Sequence, residues 1–179
     1  MTMSKTDIYF YKFLVNNQVF YKSKYTYALV NIKPLVPGHV LVVPYRTEIE
    51  RFADLTAEES QDYMQTLQLV HKFIIHVYKA DSLNIAIQDG PEAGQSIPHL
   101  HTHLIPRYAL DGFGDGIYEK LEKLDMFDTL TNFFQRREAF KECGKFEKAA
   151  DEDRKPRSQD EMLAEANWLK SELAKYQQA

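Results

Sequence analysis

The sequence predicts an α+β fold built on an antiparallel sheet. Three observations carry this expectation: short runs rich in β-branched and aromatic residues, one long amphipathic helix between them, and a second capped helix near the C-terminus. Val19 to Lys22 and Tyr25 to Ile32, with Ser23 and Lys24 between them, read as a hairpin. Alternation then puts Tyr25, Tyr27, Leu29 and Asn31 on one face. Pro34 interrupts, Pro37-Gly38 supplies a turn, and His39 to Val43 is apolar enough for a central strand covered on both faces.

Leu55-Thr56 opens the clearest helix. Thr56 and Glu59 form a capping box, and Leu55 is placed as a hydrophobic staple. Tyr63, Leu67, Val70, Ile74 and Val77 follow as one helical stripe, so the helix should end near Lys79. Ser82 to Gln88 reads as a strand, Asp89 to Gly94 as a loop, and His99 to Pro106 as a strand ended by proline. Ile117 to Leu124 suggests a short helix. Ser158 and Glu161 form a second capping box, opening a helix with Met162, Leu163, Ala166, Leu169 and Leu173 on its apolar side. Residues 1–135 are thus expected to be the folded domain, 136–157 a densely charged, mobile insert, and 158–179 a helix packing on the domain.

Composition narrows the function. Eleven Phe and eleven Tyr in 179 residues can fill one core, which excludes disorder throughout. The balance of 22 basic against 26 acidic residues gives −4 with no basic block, which argues against a DNA or RNA binder. The single cysteine, Cys143, rules out an intramolecular disulfide and every multi-cysteine zinc module. No apolar run approaches the roughly 18 residues of a membrane span. Met1 to Asp7 is polar and shows no secretory signal, so a soluble intracellular protein is expected.

Six histidines occur: His39, His71, His76, His99, His101 and His103. His71 and His76 flank the helical stripe and read as surface residues. The last three fall in five residues, and on a strand their imidazoles would share a face, about 6–7 Å apart. Leu100, Thr102 and Leu104 would point the other way. A polar sheet face, a zinc site completed by His39, and a catalytic cluster are the three readings of that pattern. The preceding loop favours catalysis, because Gly90, Gly94, Gln95 and Ser96 could turn backbone amides toward an anion. Arg107 shares the histidines' parity and could approach phosphate, whereas Tyr118 reads as a surface aromatic.

The stretch Gln88-Asp89-Gly90-Pro91-Glu92-Ala93-Gly94-Gln95-Ser96-Ile97-Pro98-His99-Leu100-His101-Thr102-His103-Leu104-Ile105-Pro106-Arg107 resembles the histidine triad (HIT) signature. More narrowly it resembles the fragile-histidine-triad branch, the dinucleoside triphosphate hydrolases, and most of all their fungal members. Ala28-Leu29-Val30-Asn31, Pro37 to Pro44, and Ser158 to Leu169 are similar to that branch at the corresponding places. The resemblance implies a HIT-like fold, with a sheet of about five strands continued across a homodimer.

It also implies that His101 is the nucleophile, attacking the α-phosphorus of a dinucleoside polyphosphate, preferably diadenosine triphosphate. A nucleotidyl-histidine would form and then be hydrolysed, giving AMP and ADP. By the same resemblance His103 bonds the phosphate chain and helps to protonate the leaving group. His99 orients His101 through the main chain, and His39 supports the cluster. Asn31 would contact ribose, and Gln88, Gly94, Gln95, Ser96, Ile97 and His103 would contact the substrate. Lys12 stands where the family has a histidine near the base. No metal is expected on the histidines and no cofactor on the protein, with Mg or Mn accompanying the substrate phosphates. The partners implied are the substrate and a second copy of the chain, with no nucleic acid or membrane. Residence in the cytoplasm is expected, with the nucleus also open. Two alternatives stand beside this reading: a nucleoside phosphoramidase of the sister branch, and a nucleotide-binding signalling module whose complex is the active species.

Overall fold

Ser23 closes the first hairpin. Its N–H donates to the Thr26 carbonyl at 2.8 Å and its Oγ to the same oxygen at 2.9 Å. Strand β3 (Val19–Lys22) is thereby turned back as β4 (Thr26–Val30). These belong to a computed structural model that describes residues 7–109, 111–114, 116–123 and 156–178. Cys143, and all of the expected insert except Pro156 and Arg157, lie outside the described residues.

Strand β5 (Val40–Pro44) pairs antiparallel with the whole of β4, from Thr26 opposite Pro44 to Val30 opposite Val40. On its other side β5 pairs with β7 (Thr102–Arg107), which in turn pairs with β6 (Ser82–Ile87). The order β3-β4-β5-β7-β6 is antiparallel throughout, as the sequence predicts. Strands β4 and β5 are buried along their full length, which explains their lack of polar alternation.

The histidine segment departs from expectation. Residues 99–101 are not part of a regular strand, and β7 starts only at Thr102. Pro98 has no N–H to give a ladder. The His99 N–H turns to the Ile97 carbonyl at 2.8 Å, and the Leu100 N–H goes to Ile49 at 2.7 Å. The three imidazoles therefore do not form an evenly spaced row.

Helix α1 (Ala57–Tyr78) begins at Thr56 with both halves of the capping box closed and ends at Lys79 in the left-handed region, φ 54°. Its buried stripe holds Tyr63, Leu67, Val70 and Ile74, with Val77 partly covered, and adds Phe73. A short helix, α2 (Gly116–Lys123), follows β7. Helix α3 (Gln159–Tyr176) starts at Ser158 with its own closed capping box. It buries Met162, Ala166, Leu169 and Leu173 against β3, β4 and α1, in one core with Ala28, Val30, Val40, Val42 and Leu104 of the sheet.

The opposite sheet face is covered by a hairpin that the sequence reading does not contain. Strands β1 (Tyr9–Phe10) and β2 (Phe13–Leu14) are joined through Tyr11, at φ 54°. Ile8, Phe10 and Val15 pack there on Tyr27, Leu29, Leu41 and Val43. The histidines lie beside this smaller core.

Candidate active site

His103 is the anchor of the site, placed by β7 directly opposite Leu41 of β5. His39 precedes β5, and its Nε2 lies 2.9 Å from His103 Nδ1. The hydrogen-bond network assigns the protons. The Leu35 N–H donates to His39 Nδ1 at 3.1 Å, so neutral His39 carries its proton on Nε2 and donates it to His103 Nδ1. Neutral His103 then carries its own proton on Nε2. That buried atom has no protein partner. An orphaned, neutral N–H donor at the centre of a site is a place for a ligand acceptor.

His101 is oriented in the complementary way. Its Nδ1–H donates to the His99 carbonyl at 2.8 Å, leaving the lone pair on Nε2. Its ring stands edge-on to that of His103, with centroids 5.1 Å apart and planes at 68°. Phe10 of the N-terminal hairpin packs on His101 and His99, 5.2 Å from the first ring and 5.5 Å from the second. The Tyr11 N–H donates to His99 Nδ1 at 3.0 Å. His99 Nε2 faces the Pro44 and Arg46 carbonyls without closing a hydrogen bond to either.

Burial is the main reason that all three imidazoles stay neutral. It pushes His99 down to about 3, with the neighbouring His101 adding to the effect. His101 is lowered by burial. His103 falls well below the ordinary imidazole value through burial and the proximity of His101 and His39. A neutral imidazole with a fixed tautomer is a nucleophile ready at neutral pH, with no proton to shed first.

The other predicted contact residues gather around this cluster. Asn31 follows β4, is buried, and sets Nδ2 3.3 Å from His39 Nε2. The Lys33 N–H holds Asn31 Oδ1 at 2.9 Å, so Nδ2 is a donor standing beside another donor, and its hydrogens are not consumed by the imidazole. Gln88 and Gln95 are buried at the two ends of the glycine loop.

The loop corrects one expectation. Gly94 N–H bonds the Pro91 carbonyl at 2.9 Å and Gln95 N–H bonds that of Gly90 at 3.0 Å, so these amides close the turn and do not face an anion. Positive φ at Gly90 (108°) and Gly94 (85°) is what permits so tight a turn. Ser96 and Ile97 follow it, and Ile97 packs on the smaller core. The loop is held from outside by the segment before α1. Asp89 Oδ1 accepts from the Phe52 N–H at 2.8 Å, Gln95 Nε2 donates to the Glu50 carbonyl at 2.6 Å, and the Arg51 guanidinium packs on Gly90.

Several residues stand apart from the cluster. Arg107 is engaged by Asp111 at 2.7 Å and by Asn84 at 2.5 Å. Tyr118 is about half exposed and its hydroxyl accepts from Asn84 Nδ2. Lys12 reaches over the Tyr11 ring, 5.3 Å from its centroid. His76 packs on Tyr176 at the C-terminal end of α3. Sequence reasoning missed Phe10, the Tyr11 and Leu35 amides, and Arg51. Leu35 had a signal in the Pro34 to Gly38 turn, whereas Phe10 sits in a strand too short to show periodicity.

Oriented imidazoles on one sheet face, one with a free lone pair and one with a free donor, define a histidine triad site. A family model, "HIT domain", matches residues 13–110, and the chain belongs to that family. Among its relatives is a bis(5'-adenosyl)-triphosphatase of Saccharomyces cerevisiae (strain ATCC 204508 / S288c), 65% identical over 74% of this chain and 65% of that protein. The chain therefore spans just under two thirds of the length of the budding-yeast relatives that it matches. A bis(5'-nucleosyl)-tetraphosphatase [asymmetrical] of Schizosaccharomyces pombe is 41% identical over 96% of this chain and 97% of that protein. The fold is also similar to a Plasmodium falciparum diadenosine triphosphate hydrolase, with a TM-score of 0.68 at 26% identity over 96% of this chain and 87% of that one.

Proposed function

We propose that the chain hydrolyses dinucleoside polyphosphates, diadenosine triphosphate foremost, to AMP and ADP through a nucleotidyl-His101 intermediate. The observation that carries this reading is the pair of opposed tautomers: His101 with its lone pair on Nε2, and His103 with an unpartnered proton on Nε2. The names of the two yeast relatives support the substrate class.

In the first step His101 Nε2 attacks the α-phosphorus. A P–N bond forms and the P–O bond to the bridging oxygen breaks, releasing ADP. The His99 carbonyl, which accepts from Nδ1–H, stabilises the positive charge that develops on the ring. His103 Nε2–H donates to the bridging oxygen as negative charge builds there. A hydrogen bond suffices, because a phosphate oxygen with a pKa near 6 leaves as an anion. In the second step water attacks phosphorus, the P–N bond breaks, and AMP and neutral His101 are regenerated. Buried, neutral surroundings make each of these donors stronger than it would be in water.

Magnesium or manganese would ride on the substrate phosphates. The three histidines offer a metal only one lone pair, on His101 Nε2, because the Nδ1 lone pairs of His99 and His103 accept from the Tyr11 N–H and from His39. Among the described residues no three His, Cys, Asp or Glu side chains come together as a metal-holding group. A homodimer is supported by β6, an edge strand of the sheet with Ile85 half exposed.

Parallel incubation with diadenosine triphosphate, diadenosine tetraphosphate and adenosine phosphoramidate, with chromatographic product analysis, tests the reading. The expected result is AMP and ADP from the triphosphate at the highest kcat/KM. Preference for the phosphoramidate would move the chain to the sister branch. A stable complex with negligible turnover would make it a signalling module.

A further inference from the structure

The carbonyls of buried Asn31 and exposed Ile32 lie just beyond β4, outside the ladder, where main-chain acceptors need donors from elsewhere. Both are satisfied by one residue distant in sequence. Arg157 donates its main-chain N–H to the Ile32 carbonyl at 2.9 Å. Its Nε lies 3.1 Å from the Asn31 carbonyl, and Nη2 donates to the same oxygen. Its remaining arm, Nη1, is paired with Glu165 of α3.

Glu165 continues the connection. Its other oxygen accepts from the Tyr78 hydroxyl at 2.8 Å, at the last residue of α1. Burial and the Glu165 carboxylate raise the Tyr78 hydroxyl far above its ordinary value, so it stays a donor. The Tyr78 ring in turn packs on Gly38, where an added Cβ would lie 2.7 Å from Cδ2 and φ is +83°. Gly38 is the residue before His39. One network therefore ends on the main chain of Asn31 and on Gly38, the neighbour of His39, and the side chains of Asn31 and His39 meet at 3.3 Å.

We propose that Arg157, which lies beyond the segment matched by the family model, is a positioning residue for the histidine cluster. It fixes the main chain beneath Asn31 and, through Glu165 and Tyr78, the turn that carries His39. The ion pair is well shielded, with side-chain exposures of 21% for Arg157 and 18% for Glu165, so it holds its geometry better than a surface pair. The planar fork is needed for this, because a lysine could bond Glu165 or the Asn31 carbonyl but not both in the same arrangement. The effect reaches the chemistry indirectly: His39 sets the tautomer of His103, and misplacement of its turn weakens that bond. The inference rests on the hydrolase reading for its kinetic arm only.

The test combines kinetics with imidazole spectroscopy on the full chain. Arg157→Met should lower kcat/KM for diadenosine triphosphate by roughly ten- to a hundredfold, as expected of a displaced catalytic group. In an Asn31→Ala background, which keeps the carbonyl that Arg157 holds but removes the side chain it positions, the same substitution should cost less. The ¹⁵N signals that report the His39 and His103 tautomers should shift or broaden. Equal fold-losses in both backgrounds, with the imidazole signals unmoved, would overturn the proposal and leave Arg157 a structural residue only. If Arg157→Met does not fold, Arg157→Lys is judged by the same two criteria. If the wild-type chain cleaves no dinucleoside polyphosphate, the hydrolase reading fails, and the imidazole signals alone decide the positioning role.

Discussion

The two faces of the central sheet are built from the same strands to opposite ends. Val40, Val42 and Leu104 point toward the helices into a mainly apolar core, whose buried polar groups include Thr26, Thr66 and the pair between Tyr63 and Thr102. Their neighbours His39, Leu41 and His103 point the other way, under a small hairpin, where buried donors are left without partners. A two-residue period thus separates stability from chemistry within each strand. On the proposed hydrolase reading, changes to the helix face should cost folding and changes to the histidine face should cost turnover. The variants below attack that division in order of expected effect.

The largest effect belongs to the histidine face. His101→Asn should reduce turnover of diadenosine triphosphate by at least about a thousandfold, the usual scale for losing a nucleophile. Nucleotide binding and the thermal midpoint should stay close to wild type. A large loss of stability in this variant would blur the division between the faces.

On the helix face, Phe73→Ala should cost about 3–5 kcal/mol, because the fully buried ring leaves a cavity between α1 and its neighbours. Urea unfolding measures this. Activity per folded molecule should be retained, and a matching drop in kcat would contradict the separation.

Acid should weaken the histidine face selectively. In the folded protein the three imidazoles titrate below their ordinary value near 6.5, His99 at about 3. Between those limits the unfolded chain binds more protons, so stability rises with pH and is lost on acidification below about 6.5. Each imidazole contributes up to about 1.4 kcal/mol per pH unit in that window. Urea midpoints at pH 7, 6 and 5 should fall, and the fall should be smaller in His103→Asn. Flat midpoints would mean that the imidazoles are not held neutral.

The Tyr63–Thr102 pair is a polar exception that sharpens the comparison. Tyr63 donates to the Val42 carbonyl at 2.9 Å and lies 2.7 Å from Thr102 Oγ1. Tyr63→Phe should cost about 1–3 kcal/mol by depriving the Val42 carbonyl of a donor and the Thr102 hydroxyl of its acceptor. Adding Thr102→Val should cost less than the sum of the two single changes, measured by urea unfolding as a double-mutant cycle.

What could be read from the sequence follows the same division. The helix face was legible because its signals are local: the capping boxes at Thr56 and Ser158 and the stripe from Tyr63 to Val77 repeat within a few turns. The histidines were conspicuous by spacing, but their geometry was not. Pro98 and the pull of Ile49 on the Leu100 amide take residues 99–101 out of the ladder. The link from His39 to His103 depends on β5 lying beside β7, 64 residues apart in sequence. Arg157 was hidden for a related reason. It ends a charged run, and only the fold brings it beneath Asn31.

The most direct measurement is to quench the reaction with labelled diadenosine triphosphate within its first turnovers and locate the label by peptide mass spectrometry. A nucleophilic His101 predicts an adenylyl group on the peptide containing His101, labile to acid as a phosphoramidate is, and absent from His101→Asn. Label on a different residue, or burst-free hydrolysis with no adduct at any time point, would contradict it.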